Sequence, residues 1–178
     1  PGVKGDNCPI LTGRQGLGKS WFVERMARGW TCTLGPIEGG GLRDTIMAMT
    51  RSWITVADEG FAMKKADAEA LKQFVTLTHD VVRLPYARET VTLPRRQVIW
   101  GTTNDAVFLR AQEGNRRFLI VEVADRLDFD KYTDEYVGQV WAEAVHIWKT
   151  SRDEYGLERN PELFLSVEEE AAAESVRS

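Results

Sequence analysis

Gly13-Arg14-Gln15-Gly16-Leu17-Gly18-Lys19-Ser20 is the stretch of this chain best suited to chemistry. It matches the phosphate-binding pattern G-x-x-x-x-G-K-[ST] at every fixed position. Glycines let backbone N–H groups turn toward an anion with no side chain in the way. A helix beginning at Lys19 adds the positive end of its dipole. In this pattern the lysine reaches the outer phosphates of a nucleoside triphosphate and the serine hydroxyl ligates Mg²⁺. The expected contacts to the nucleotide are therefore Gly13, Gln15, Gly16, Leu17, Gly18, Lys19, Ser20 and the following Trp21.

A phosphate loop needs carboxylates across from it, because the metal must be held from the far side. Trp53-Ile54-Thr55-Val56-Ala57-Asp58-Glu59 is an apolar run ending in such a pair. Asp58 is expected to hold the metal with Ser20, and Glu59 to orient or deprotonate the attacking water. The pair favours hydrolysis over phosphoryl transfer to a small molecule. A second apolar run, Val98-Ile99-Trp100, leads into Gly101-Thr102-Thr103-Asn104. Polar residues at the carboxyl end of a buried strand face the ligand crevice, so Asn104 is expected at the γ-phosphate or the water. Arg116 and Arg117 lie at the start of a further strand, and planar guanidinium groups suit phosphate oxygens.

These groups must be carried by a sheet. Strands are expected at 8–12, 30–34, 53–57, 98–101 and 118–123, and helices at 19–28, 42–50, 64–77 and 134–150. Most of the strand runs are continuously apolar, as for strands covered on both faces, and their alternation with helices implies an α/β fold. The last helix places Tyr136, Val140, Trp141, Ala144, Val145 and Trp148 at three- and four-residue spacing, which reads as a packing stripe.

The chain has 178 residues, 43% of them hydrophobic and 28% charged, which suits one soluble domain with a sizeable core. No apolar run reaches the roughly 20 residues a membrane span requires. No signal peptide opens the chain, and the first strand follows closely on Pro1-Gly2-Val3, so the sequence reads as a cytoplasmic domain excised from a longer protein. Cys8 and Cys32 form no metal pattern and read as reduced core residues. The boundaries expected are an ATPase core over 1–150 and an acidic extension over 151–178.

The net charge of −4 hides an uneven distribution. Residues 64–96 hold seven Lys/Arg against four Asp/Glu, whereas 152–178 hold three against eight. Within the basic stretch, 81–86 and 91–96 flank Ala87-Arg88-Glu89-Thr90, a β-hairpin pattern with Arg88 at its tip. Pro85 and Pro94 keep such a hairpin at an edge. Arg83, Arg88, Arg95 and Arg96 can contact nucleic-acid phosphates while Tyr86 stacks on a base. The same charges also fit a solvated helix face, with Lys64, Lys65 and Lys72 paired to Asp67 and Glu69, and an interface salt bridge at Arg83.

The order of these blocks resembles the virulence-associated E family, which belongs with the superfamily-3 helicases of the AAA+ class. The resemblance is carried by residues 13–20 and 53–59, by Lys72 with Asp80-Val81-Val82-Arg83-Leu84-Pro85-Tyr86-Ala87-Arg88, by 101–104, by Gly114-Asn115-Arg116-Arg117-Phe118, and by Trp141-Ala142-Glu143-Ala144-Val145. It implies a five-stranded AAA+ core with the strand before Asn104 lying between the phosphate-loop strand and the Asp-Glu strand. It implies ATP hydrolysis at the subunit interfaces of a ring, usually a hexamer, with Arg116 or Arg117 donated to a neighbour. It further implies a hairpin facing the ring channel and gripping DNA, single-stranded and without regard to sequence, which maps Lys72, Arg83, Tyr86 and Arg88 as DNA contacts. Relatives are encoded by phages and mobile elements, often beside a primase. Family members often carry an extra glutamate near the position of Val56, and a helical region usually precedes the core; this sequence departs from both. The rival expectation is an ATP-dependent switch or assembly factor that does not translocate.

Overall fold

The computed structural model describes residues 7–58, 65–84, 86–104 and 117–155, with side chains described from 70 to 150 within the latter segments. The elements are β1 (Cys8–Thr12), α1 (Lys19–Ala27), β2 (Thr31–Thr33), a 3₁₀ turn (Gly39–Gly41), α2 (Leu42–Met49), β3 (Ile54–Ala57), α3 (Lys65–Thr76), β4 (His79–Arg83), β5 (Thr90–Pro94), β6 (Val98–Thr103), β7 (Phe118–Glu122) and α4 (Asp134–Tyr155). Five strands form one sheet in the order β2-β3-β6-β1-β7, and β4 pairs only with β5. Every pairing in the large sheet is parallel. The expected α/β core with an inserted hairpin is therefore the fold, and β6 lies between β1 and β3 as expected.

Continuous apolar strands follow from burial on both faces. Ile10 of β1 packs into one cluster with Met49, Leu71, Phe74 and Phe118. Its neighbour Leu11 packs into another with Val23, Ala27, Ile54 and Val56. Successive side chains point to opposite faces, so a strand covered twice has no polar alternation to show.

Four expectations shift. β2 is shorter than 30–34: Trp30 O accepts from Trp53 and Ile54 N–H and Leu34 N–H donates to Val56 O, but both residues lie just outside the paired strand Thr31–Thr33. β6 continues to Thr103, three strand positions of which are buried polar or glycine. Cys8 is fully buried and its thiol is pushed up to about 12 by desolvation, but Cys32 is only half-buried beside Ser52 and Thr55. The stripe on α4 is not a buried one. Val137 is buried and Trp141 donates its indole N–H to Met26 O at 2.7 Å, whereas Tyr136, Ala144 and Val145 are exposed. The contacts of α4 run to α1, through Trp141 with Met26 and Asp134 with Arg25, and to the Trp53 ring. No helix among the described residues is long and apolar enough to cross a membrane.

Candidate functional site

Parallel topology brings the carboxyl ends of β1, β3 and β6 together, and with them the predicted polar residues. β1 ends at Thr12 and the phosphate-loop sequence follows. Gly13 and Gly18 both have φ in the left-handed half of the map, at +140° and +93°. A Cβ at Gly13 would lie 2.5 Å from the carbonyl oxygen of Val123, so only glycine fits the turn. Gly18 is the N-cap of α1 and has no side chain to satisfy the first-turn N–H groups. Those donors are what an anion takes up at a helix start.

Lys19 is buried and folds back over the loop. Its ammonium donates to the carbonyls of Gly13 (2.7 Å) and Arg14 (2.9 Å), and to Asn104 Oδ1 (2.9 Å). Two residues 85 positions apart thus meet at the carboxyl edge of the sheet. Ser20 Oγ stands 3.3 Å from Thr102 Oγ1, and that hydroxyl donates to Asp58 Oδ1 at 3.0 Å. Ser20 and Asp58, predicted to share a metal, are therefore joined through one side chain. A carboxylate and two hydroxyls are hard oxygen donors of the kind Mg²⁺ accepts, so these residues fit the cation that the loop implies. Thr102 is the member that sequence reasoning passed over; its signal was a hydroxyl at the polar end of an otherwise apolar strand.

Glu59 and Arg116 lie outside the described residues, as do Pro85 and the acidic chain beyond Tyr155. Arg117 is half-buried immediately before β7. Trp21 is half-buried against Phe129.

The hairpin separates the basic residues into two kinds. Arg95 is not available to a polyanion. It is buried, its Nε and one terminal nitrogen donate to Asp80 at 2.8 and 2.6 Å, and its guanidinium lies 3.8 Å over the Phe74 ring. Its remaining terminal nitrogen donates to Phe74 O. This pair locks the hairpin root onto α3. Lys72, expected as a DNA contact, is buried on α3, next to Leu71 of the core. Arg83 is exposed, yet its Nε donates to Ala87 O at 2.8 Å and braces the tip. Tyr86 is fully exposed and adopts φ 63°, and Arg88 is exposed beside it. Together with Arg43 of α2 and the Gly39-Gly40 turn they line a cleft of about 570 Å³. Arg43 was not foreseen, since its approach to the hairpin depends on where α2 packs.

The virulence-associated protein E-like domain family matches residues 1–178. Two apo structures of the NrS-1 C-terminal region share the fold. One, an A form, has a TM-score of 0.60 at 13% identity over 98% of this chain and 43% of its own. The other has a TM-score of 0.55 at 15% identity over 98% and 44%. The chain thus spans less than half the length of these solved chains. No curated protein sequence matches it.

Proposed function

The chain belongs to the virulence-associated protein E-like domain family, and on that footing we propose that it is the ATP-hydrolysing domain of a motor that moves along or unwinds DNA during replication of a phage or mobile element. The observation that carries the reading is the junction at the carboxyl edge of the sheet, where Ser20, Thr102 and Asp58 form one hydrogen-bonded chain beside the Lys19–Asn104 contact.

In this reading the loop amides and the Lys19 ammonium take the phosphates, exchanging the carbonyls of Gly13 and Arg14 for phosphate oxygens. Ser20 and Asp58 would hold Mg²⁺, which when bound would neutralise charge on the outer phosphates. Asn104 orients the γ-phosphate or the water from the β6 side, and Glu59 activates that water. Arg116 or Arg117 completes the site of a neighbouring subunit in a hexameric ring, where such a residue contributes on the order of 10³–10⁵ in rate. Tyr86 and Arg88 grip single-stranded DNA, and a primase is the expected companion.

The test is ATP hydrolysis by the full-length protein with and without single-stranded DNA, with Lys19→Ala as the blank. Stimulation that disappears in Arg88→Ala, with basal hydrolysis retained, is the expected result. Equal rates with and without any DNA would replace the motor by an ATP-dependent switch.

A further inference from the structure

The phosphate loop has a second side. Asp58, Thr102 and Asn104 come from β3 and β6, which lie on one side of β1; β7 lies on the other. Val123 N–H donates to Thr12 O at 2.8 Å as the chain leaves β7, and Leu127 N–H then donates to Leu17 O at 3.0 Å. The segment is in this way laid along the loop. Phe129 follows, so close that a Cβ on Gly18 would stand 2.5 Å from its ring. Its centroid is 4.4 Å from that of Trp21, and the guanidinium carbon of the exposed Arg126 stands 5.2 Å from it. Tyr132 meets Trp21 edge-on at 6.1 Å, and its carbonyl accepts from Arg25 Nε at 2.6 Å, which ties the far end of the segment to α1.

A triphosphate whose outer end lies among Asp58, Thr102 and Asn104 must run its inner end the other way, toward β7. We propose that Phe129 and Arg126, backed by Trp21, form the nucleoside side of this site and hold the base by its ring face. The assignment rests on the nucleotide reading above. Aromatic rings and guanidinium planes both stack on planar bases. Arg126 over the half-buried Phe129 ring is an exposed planar group resting where another planar group can replace it or stack upon it. Ring-face recognition reads the size of the π-surface and not the pattern of donors and acceptors, so adenine and guanine are held alike.

The experiment is calorimetric titration of the full chain, in Mg²⁺, with ATP, GTP and inorganic tripolyphosphate. ATP and GTP are expected to bind within a few-fold of one another. Phe129→Leu is expected to weaken ATP roughly tenfold and Arg126→Ala by a few-fold, the range that stacking on a base supplies, with tripolyphosphate unchanged in both. Arg126 is exposed, so its variant folds whatever happens at Phe129. Unchanged ATP affinity in both variants overturns the proposal while leaving the loop intact. Equal loss of ATP and tripolyphosphate also overturns it, since the segment would then only support the loop. A preference above a hundredfold for one purine overturns ring-face recognition. If tripolyphosphate does not bind, or binding survives Lys19→Ala, the nucleotide reading itself fails.

Discussion

The phosphate loop and the hairpin use buried polar groups in opposite ways. Around the loop, Lys19, Thr102 and Thr103 are buried and gathered at the edge of the sheet, where a ligand can exchange with their present partners. In the hairpin the buried charges, Arg95 and Asp80, are fully engaged with one another and with Phe74, while the groups free to meet a ligand are at the exposed tip. The first region is built into a five-stranded parallel sheet and the second is a two-stranded ribbon clamped at its root. A two-stranded ribbon has too little core to hold itself, so it spends an ion pair on anchorage. The lesson is that an arginine in a basic stretch is a ligand contact or an anchor according to its burial, and its neighbours in sequence do not say which.

The sharpest way to break this contrast is Arg95→Ala. It leaves Asp80 buried and unpaired, and the expected loss is about 3–5 kcal/mol of stability, measured by denaturant unfolding. Replacing the pair together, as Arg95→Met with Asp80→Leu, should recover most of that loss, because well-packed apolar residues substitute for a buried pair at little cost. A loss below about 1 kcal/mol, the range of a surface pair, would mean that the clamp is solvated and the contrast wrong.

On the loop side, Lys19→Ala should lower ATP hydrolysis by on the order of 100-fold or more, the scale seen when one preorganised donor to a developing charge is removed. Its unfolding midpoint should move far less than that of Arg95→Ala. Thr102→Ala should weaken Mg²⁺-dependent nucleotide binding roughly tenfold, the low end for a residue that orients metal ligands. Titrating Mg²⁺ at fixed ATP reads this directly, and an unchanged Mg²⁺ requirement would remove Thr102 from the site.

At the hairpin tip the expected effects are on DNA and not on the fold. Arg88→Ala should lower the slope of log affinity against log salt by about 1, the signature of one lost phosphate contact. Arg83→Ala should leave the slope unchanged, because that side chain braces Ala87 O. Equal slopes for the two variants would erase the distinction drawn between them. The smallest effect lies beneath the loop. Cys8 on β1 has a thiol raised from 9.0 to about 12 by burial. A raised folded value means that its contribution is complete below pH 9.0 and falls as pH climbs from there toward 12. Alkylation at pH 8 should accordingly label Cys32 and spare Cys8 until the protein unfolds.

The α/β fold, the alternation of strands with helices and the arrival of Ser20, Asp58, Lys19 and Asn104 at one sheet edge were legible in local spacing, because a glycine-rich loop and strands buried on both faces are short-range patterns. The hairpin was legible for the same reason: two β runs around a short turn are a local pattern. Burial of individual charges was not. Arg95 and Lys72 read like Arg88 along the chain, and only the packing of α3 against the hairpin root separates them. The parallel register of β6 between β1 and β3 brings Thr102 to Ser20 and Asp58, and the return of the chain after β7 brings Phe129 over Gly18. The contacts of Thr102 span 82 and 44 positions, and no periodicity of 2 or 3.6 carries information over such distances. Which polar groups are shut away from water followed from the packing, since that depends on what covers them and not on what adjoins them.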